Sequence, residues 1–219
     1  MIEAQGDYNR AWLLGALGTQ HLPAIPAVHA RLQSDPPARV LDVACGAGWA
    51  SIGIAEAYPN ATVDGIDSDE SSIALARKLP RTRRCRPGAV RREGRGRRRS
   101  RWSLHDVAII IESVHDMSNP VEVLSGTRGS LAPGGTLIVA DEKVEETFSV
   151  PGGMGERFCY ASSVTLCLPA AMSGKPSAGI GAVMRPKTFR RVAAQAGFGE
   201  VRILDKVEHE ALRFYRLDA

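Results

Sequence analysis

The chain has 219 residues, 44% of them hydrophobic, which suits one globular domain with a buried core and excludes a disordered protein. No run approaches the ~18 apolar residues of a membrane span, and MIEAQGDYNR carries acids where a secretory signal would be basic and then apolar. The net charge of +4 is uneven: residues 77–101 hold thirteen Arg or Lys and one acid, leaving fifteen basic and twenty-three acidic groups elsewhere, a net of −8. An acidic domain with one basic block is thus expected. Cys45, Cys85, Cys159 and Cys167 form no CxxC pair. That argues against a zinc or disulfide framework, favours buried free thiols, and fits a reducing, cytoplasmic location.

In chain order, residues 3–18 are predicted to form a helix with Ala11, Trp12, Leu14, Leu17 and Gly18 on roughly one side. A second helix is predicted from Ala24 to Leu32, ending before Asp35-Pro36-Pro37. RVLDVACGAG reads as an apolar strand entering a glycine turn, and WASIGIAEA (49–57) as the helix after it. ATVDGID is a strand, Ser68 to Lys78 a helix with Asp69 and Glu70 in its first turn, where acids suit the dipole. DVAIII (106–111) is an apolar strand, Pro120–Ser130 a helix, and Pro133-Gly134-Gly135 a turn into strand TLIVAD. Residues 187–196 form a helix closed by Gly197, followed by strands near 200–205 and 211–217. Alternating strands and helices mean a parallel sheet with helices on both faces. Residues 142–184 interrupt the alternation after a strand's carboxyl end, where open α/β sheets bind ligands, and are read as a substrate lid. The expected organisation is N-terminal helices over 1–37 and one domain over 38–219.

A glycine turn between a first strand and a helix lets the backbone approach a nucleotide. By itself it does not choose the nucleotide. The dinucleotide fingerprint wants a third glycine, whereas Gly46-x-Gly48 is followed by Ser51. Asp42 lies inside the strand, where it would repel a pyrophosphate and attract a cationic sulfonium and amino group. Asp67 ends the second strand, placed to accept hydrogen bonds from ribose hydroxyls in either cofactor.

The string VLDVACGAGWASIGIAEAYPNATVDGIDSDESSIALAR, with LAPGGTLIVADE further on, resembles class I S-adenosylmethionine-dependent methyltransferases. The resemblance covers roughly residues 38–78 and 104–219, and departs in having Ala44 where many members have Gly. It implies an α/β, Rossmann-like, doubly wound, mostly parallel sheet with an antiparallel C-terminal strand, and S-adenosyl-L-methionine as cofactor. Asp42, Ala44, Gly46 and Gly48 would line its methionine and ribose side. Asp67 and Ser68 would face the ribose, and Glu112 or Ser113 the methionine end. One bacterial subgroup carries a winged helix before this domain, and the chain resembles such a member entered late. The N-terminal helices are then read as a homodimer contact.

Within the family the stretch after the second helix holds a third strand and an adenine-binding acid. Here residues 79–105 read LPRTRRCRPGAVRREGRGRRRSRWSLH, predicted to be neither strand nor core, so the third strand is expected to be disrupted, residues 80–103 poorly ordered and cofactor binding weak. A reading-frame error would produce such text. Cys85–Arg91, coded TGC CGA CCG GGT GCG GTT CGG, reads one base later as Ala-Asp-Arg-Val-Arg-Phe, and Trp102-Ser103-Leu104 can likewise yield Gly-Pro-Tyr. Both resemble the family at those places, and resequencing tests the idea. The alternatives are a solvated basic loop or a nucleic-acid surface. The lone Trp102 and the lack of interleaved aromatics argue against base stacking.

The fourth strand delivers Glu112, Ser113, His115 and Asp116 to the ligand edge. His115 has a suitable pKa for a general base; alternatively it packs or caps the helix beginning near Ser118. Asp141 and Glu142 end the fifth strand as pocket-facing groups or as exposed acids without a function. Arg157, Phe158, Tyr160, Met172 and Arg185 are candidate substrate contacts, although Met and aromatics at irregular spacing are also what a core supplies. No metal-ligand cluster is visible. The expected function is methyl transfer to a small-molecule acceptor, with oxygen as the accepting atom, and no membrane or nucleic-acid partner. A catalytically impaired cofactor-binding fragment and an RNA or DNA methyltransferase using the basic segment are the competing readings.

Overall fold

The computed structural model describes residues 7–79, 85–89 and 104–219. Seven strands form one sheet: β1 (Arg39–Val43), β2 (Thr62–Asp67), β3 (Cys85–Ala89), β4 (His105–Ile111), β5 (Leu131–Glu142), β6 (Val201–Ile203) and β7 (Leu212–Asp218). Their order is β3-β2-β1-β4-β5-β7-β6, with β1, β2 and β3 parallel and β6 antiparallel to β7. The chain therefore reverses its winding between β1 and β4, as in doubly wound folds. VAIII and TLIVA sit where buried strands were expected: Val107 to Ile110 and Leu137 to Ala140 are all 2% exposed or less.

The chain divides into two compact units. The first comprises residues 1–109 and 130–136. It opens with α1 (Arg10–Trp12), which runs on as a π-type helix over Leu13–His21, and α2 (Pro26–Gln33), with Pro26 in its first turn, where a missing N–H costs nothing. The sequence placed Ala11 on the packed side of a helix over 3–18. The structure buries the expected Leu17 and Gly18, leaves Trp12 and Leu14 half-buried, and has Leu13 and His21 buried while Ala11 is exposed, because the wider i→i+5 turn rotates the apolar face. Residues 3–6 of that expectation lie outside the described residues. This face packs on α3 (Trp49–Ala57) so closely that a Cβ on Gly53 would lie 2.2 Å from the carbonyl oxygen of Leu13. The N-terminal helices are thus integral to the unit that carries the glycine turn. Next, α4 (Glu70–Lys78) is N-capped by Asp69, whose Oδ2 accepts from Ser72 N at 2.8 Å.

Cys85–Ala89 pair with Val63–Asp67 in parallel register, correcting the expectation of no strand in the basic block. An edge strand needs backbone donors and acceptors more than apolar side chains, and a sheet's edge is where a strand proline such as Pro87 is tolerated. Residues 80–84 and 90–103, where poor order was expected, lie outside the described residues.

The second unit comprises residues 110–129 and 137–219. It contains α5 (Pro120–Ser130, apart from its last residue), α6 (Met154–Ser162), α7 (Leu168–Ala171), α8 (Pro186–Gln195), β6 and β7. A Schellman motif closes α8: Gly197 N donates to Ala194 O and Phe198 N to Ala193 O, with Gly197 at φ +92°. The 142–184 segment is helical only over residues 154–171, where a π-type stretch, Ser163–Cys167, joins α6 to α7. It packs through Cys159 on Val144 and Ala182. Ser118 ties down its far end by donating to Ala171 O at 2.7 Å. Among the described residues no helix is long and apolar enough to cross a membrane.

Candidate functional site

After β1 the backbone takes three left-handed residues in close succession: Ala44 (φ +58°), Gly46 (+52°) and Gly48 (+86°). The two glycines do this without a Cβ penalty, while Ala44 is strained by about 1–2 kcal/mol. Gly48 N donates to Cys45 O at 2.7 Å, and Cys45 N to Ile66 O at 3.0 Å. Asp67, ending β2, accepts from Gly46 N on Oδ2 and from Asp69 N on Oδ1, each at 2.8 Å. Its carboxylate therefore fixes the turn and retains lone pairs for a ligand. Ser68 beside it is exposed.

Asp42 is 2% exposed and accepts from Ser51 Oγ at 2.6 Å, tying β1 to α3. The non-glycine Ser51 that argued against a dinucleotide thus has a positive role. Burial, opposed by the Ser51 hydrogen bond and assisted by the nearby Asp67 charge, pushes the Asp42 carboxyl up to about 7. Among the described residues neither Asp42 nor Asp67 forms an ion pair with a cationic side chain. Among the described residues, nothing cationic balances the two carboxyl groups at the turn.

In the second unit, Glu112 follows β4 at φ +46°, and its N–H donates to Ala140 O at 2.8 Å. Ser113 Oγ donates to Ile111 O at 2.7 Å. A short 3-10 turn, Val114–Asp116, then buries His115 to 3% exposure. His115 Nδ1 lies 2.6 Å from Asp141 Oδ1, and Nε2 lies 3.3 Å from Asp116 Oδ1. Asp141 is 1% exposed, so the reading of it as an exposed acid is corrected. It also accepts from Val114 N and Glu142 N, at 3.2 and 2.9 Å. Burial lowers the His115 pKa, but the charge and hydrogen bond of Asp141, a hydrogen bond to Cys167 and the charge of Asp116 together hold it well above the ordinary imidazole value. Burial raises Asp116, against the pull of His115. Gly181 N donates to His115 O at 3.1 Å, so the insertion pins the histidine's backbone.

The candidate substrate contacts divide. Phe158, Tyr160 and Met172 are 62%, 40% and 56% exposed rather than core, and Arg157 is exposed. Arg185 is held inside the protein by Glu156, by Glu145 O and by Tyr160 Oη at 3.2 Å. Sequence reasoning missed Asp141 as the partner of His115 and missed Cys167 beside them. It also missed Glu156, a buried acid whose only signal was its helical spacing within α6.

A doubly wound sheet whose last strands run antiparallel, with a glycine turn after β1 and an acid closing β2, defines the Rossmann-like methyltransferase class. Residues 41–137 match the family described as "Methyltransferase domain". Together with the solved structures below, this gives the chain the fold of the class I S-adenosylmethionine-dependent methyltransferases. Human N-acetylserotonin methyltransferase, solved with S-adenosylmethionine, superposes with a TM-score of 0.66 at 14% identity, covering 99% of this chain and 54% of that one. A putative O-methyltransferase from Nostoc punctiforme gives 0.60 at 19% identity, over 95% and 60%. The plantazolicin methyltransferase BpumL, solved with S-adenosylhomocysteine, gives 0.59 at 17% identity, over 99% and 88%. The chain therefore spans little more than half the length of the first two. No curated protein sequence matches it significantly.

Proposed function

We propose that the chain binds S-adenosyl-L-methionine at the Val40–Gly48 turn and transfers its methyl group to a small-molecule acceptor, with oxygen as the accepting atom. The observation that carries this reading is the unneutralised charge at the turn. Among the described residues, the carboxyl groups of Asp42 and Asp67 are met only by neutral donors, and burial, assisted by the charge of Asp67, pushes Asp42 up to about 7. A dinucleotide pyrophosphate would add negative charge to negative charge, whereas a sulfonium and an ammonium would relieve it.

Asp42, Ala44, Gly46 and Gly48 would hold the methionine and ribose side, with Asp67 and Ser68 toward the ribose hydroxyls. Glu112 and Ser113 are assigned to the methionine end, and the left-handed φ of Glu112 is the kind of backbone strain that concentrates at functional sites. When bound, the cofactor supplies a methyl carbon already activated by its sulfonium. The protein's tasks are alignment and, for a hydroxyl acceptor, removal of its proton. His115 is the proposed proton acceptor, at Nε2. Asp141, hydrogen-bonded to Nδ1, fixes the tautomer and stabilises the imidazolium that results. Oxygen as acceptor and a small molecule as substrate are supported by the similar structures, which include N-acetylserotonin methyltransferase and a putative O-methyltransferase.

The test is incubation of the full chain with S-adenosylmethionine and a panel of phenols, alcohols and amines, following release of S-adenosylhomocysteine. Turnover on a hydroxyl compound is expected. Turnover on RNA or DNA alone would overturn the acceptor assignment, and no turnover with any acceptor would favour a cofactor-binding fragment.

A further inference from the structure

His115, Asp116 and Cys167 offer one nitrogen, one oxygen and one sulfur atom that all lie within 4.8 Å of one another. Each is placed by a different constraint. The 3-10 turn presents His115 and Asp116, while Cys167 closes the π-type stretch Ser163–Cys167, a rare helical form concentrated at functional sites. We propose that these three side chains form a binding site for a soft divalent cation of the Zn2+ type, with one coordination position left open.

Three observations support it. With Zn–N and Zn–O bonds of about 2.0–2.2 Å, a tetrahedral centre separates its nitrogen and oxygen ligands by about 3.3–3.5 Å, and His115 Nε2 and Asp116 Oδ1 are 3.3 Å apart. Asp116 Oδ1 is also buried, and no donor meets it with full hydrogen-bond geometry among the described residues; it faces His115 Nε2 and the Cys167 thiol, the other two donors of the site. Finally, Asp141 holds Nδ1 at 2.6 Å, the carboxylate–imidazole arrangement that fixes a ligating histidine and raises its basicity. The donor set of thiolate, imidazole and carboxylate suits zinc and excludes the hard, all-oxygen coordination of calcium or magnesium. Asp116 keeps 23% of its side chain exposed, which gives an ion a way in.

Such an ion would use the lone pair that methyl transfer needs at His115 Nε2. Metal loading and proton abstraction are thus mutually exclusive, and that consequence, unlike the binding, rests on the proposed role of His115. Binding is tested by titrating the purified full chain with Co2+ under reducing conditions, reading the visible d–d bands of a tetrahedral ion and the thiolate-to-cobalt charge-transfer band. Wild type is expected to show both. Cys167→Ala, at a half-buried position, should lose the charge-transfer band and bind about tenfold or more weakly, while circular dichroism shows it folded. Cys159→Ala removes the other nearby thiol, which contacts Glu142 at 3.8 Å, and should keep both bands. Asp141→Asn should weaken binding by about 10–100-fold. No cobalt spectrum in wild type, or a charge-transfer band that survives Cys167→Ala and vanishes in Cys159→Ala, would overturn the site. Because the readout is a spectrum, its failure leaves the methyl-transfer reading standing, and a failure of turnover leaves the metal site standing.

Discussion

The glycine turn and the His115 cluster both contain a pair of carboxylates, and they treat negative charge in opposite ways. At the turn, among the described residues, Asp42 and Asp67 meet only a serine hydroxyl and backbone N–H groups. Around His115, Asp141 and Asp116 flank an imidazole whose affinity for a proton their charge raises. The first arrangement is incomplete without a cation from outside, as a cofactor site should be. The second is balanced by the protein itself, and gives up that balance only by losing a proton or exchanging it for another cation.

Several substitutions probe this contrast. The largest effect is expected at His115: His115→Gln should lower kcat by about 10²–10⁴-fold, the usual contribution of a positioned general base, while cofactor affinity at the turn is unchanged. A comparable loss of binding would show that the two regions are not functionally distinct. Gly53→Ala should destabilise the chain by about 1–3 kcal/mol in denaturant unfolding, because its Cβ meets the Leu13 carbonyl. A neutral result would mean that α1 is not seated on α3 as described.

The Asp42 prediction concerns pH. An unfolded chain releases this proton near 3.8, the folded one near 7. The stability this brings is therefore complete below about pH 4 and lost as pH rises through about 7, a change on the order of a few kcal/mol without cofactor. If, as proposed, S-adenosylmethionine is held by the ionised Asp42, its affinity should rise by up to about tenfold per pH unit toward pH 7 and level off above. Asp42→Asn should flatten both profiles in unfolding and calorimetric measurements. Smaller again, Asp69→Ala removes the N-cap of α4 and should cost about 1 kcal/mol. Ala44→Gly relieves a positive φ and should stabilise by roughly 0.5 kcal/mol once the greater chain entropy of glycine is offset.

The turn was legible in sequence because its determinants are local. Gly46, Gly48, Asp42 and Ser51 lie within one strand–turn–helix, and their spacing carries the geometry. The bounds of α3 and α5 were equally readable from their flanking glycine and prolines. The His115 cluster was not, because Asp141 and Cys167 reach it through strand adjacency and through a helix in a segment without a clear period. Likewise β3 was unreadable from its side chains, since the parallel pairing with β2 that defines it is made by the backbone. Ala11 was misplaced because a π-type turn breaks the 3.6-residue spacing that the reading assumed.

The charge asymmetry is tested most directly by calorimetric titration of the full chain with S-adenosylmethionine and, in parallel, with NAD+ at pH 7.5. Binding of S-adenosylmethionine with no detectable heat from NAD+ is the result expected from a turn carrying two carboxyl groups and no countercharge among the described residues. Binding of NAD+ in preference to S-adenosylmethionine would contradict it.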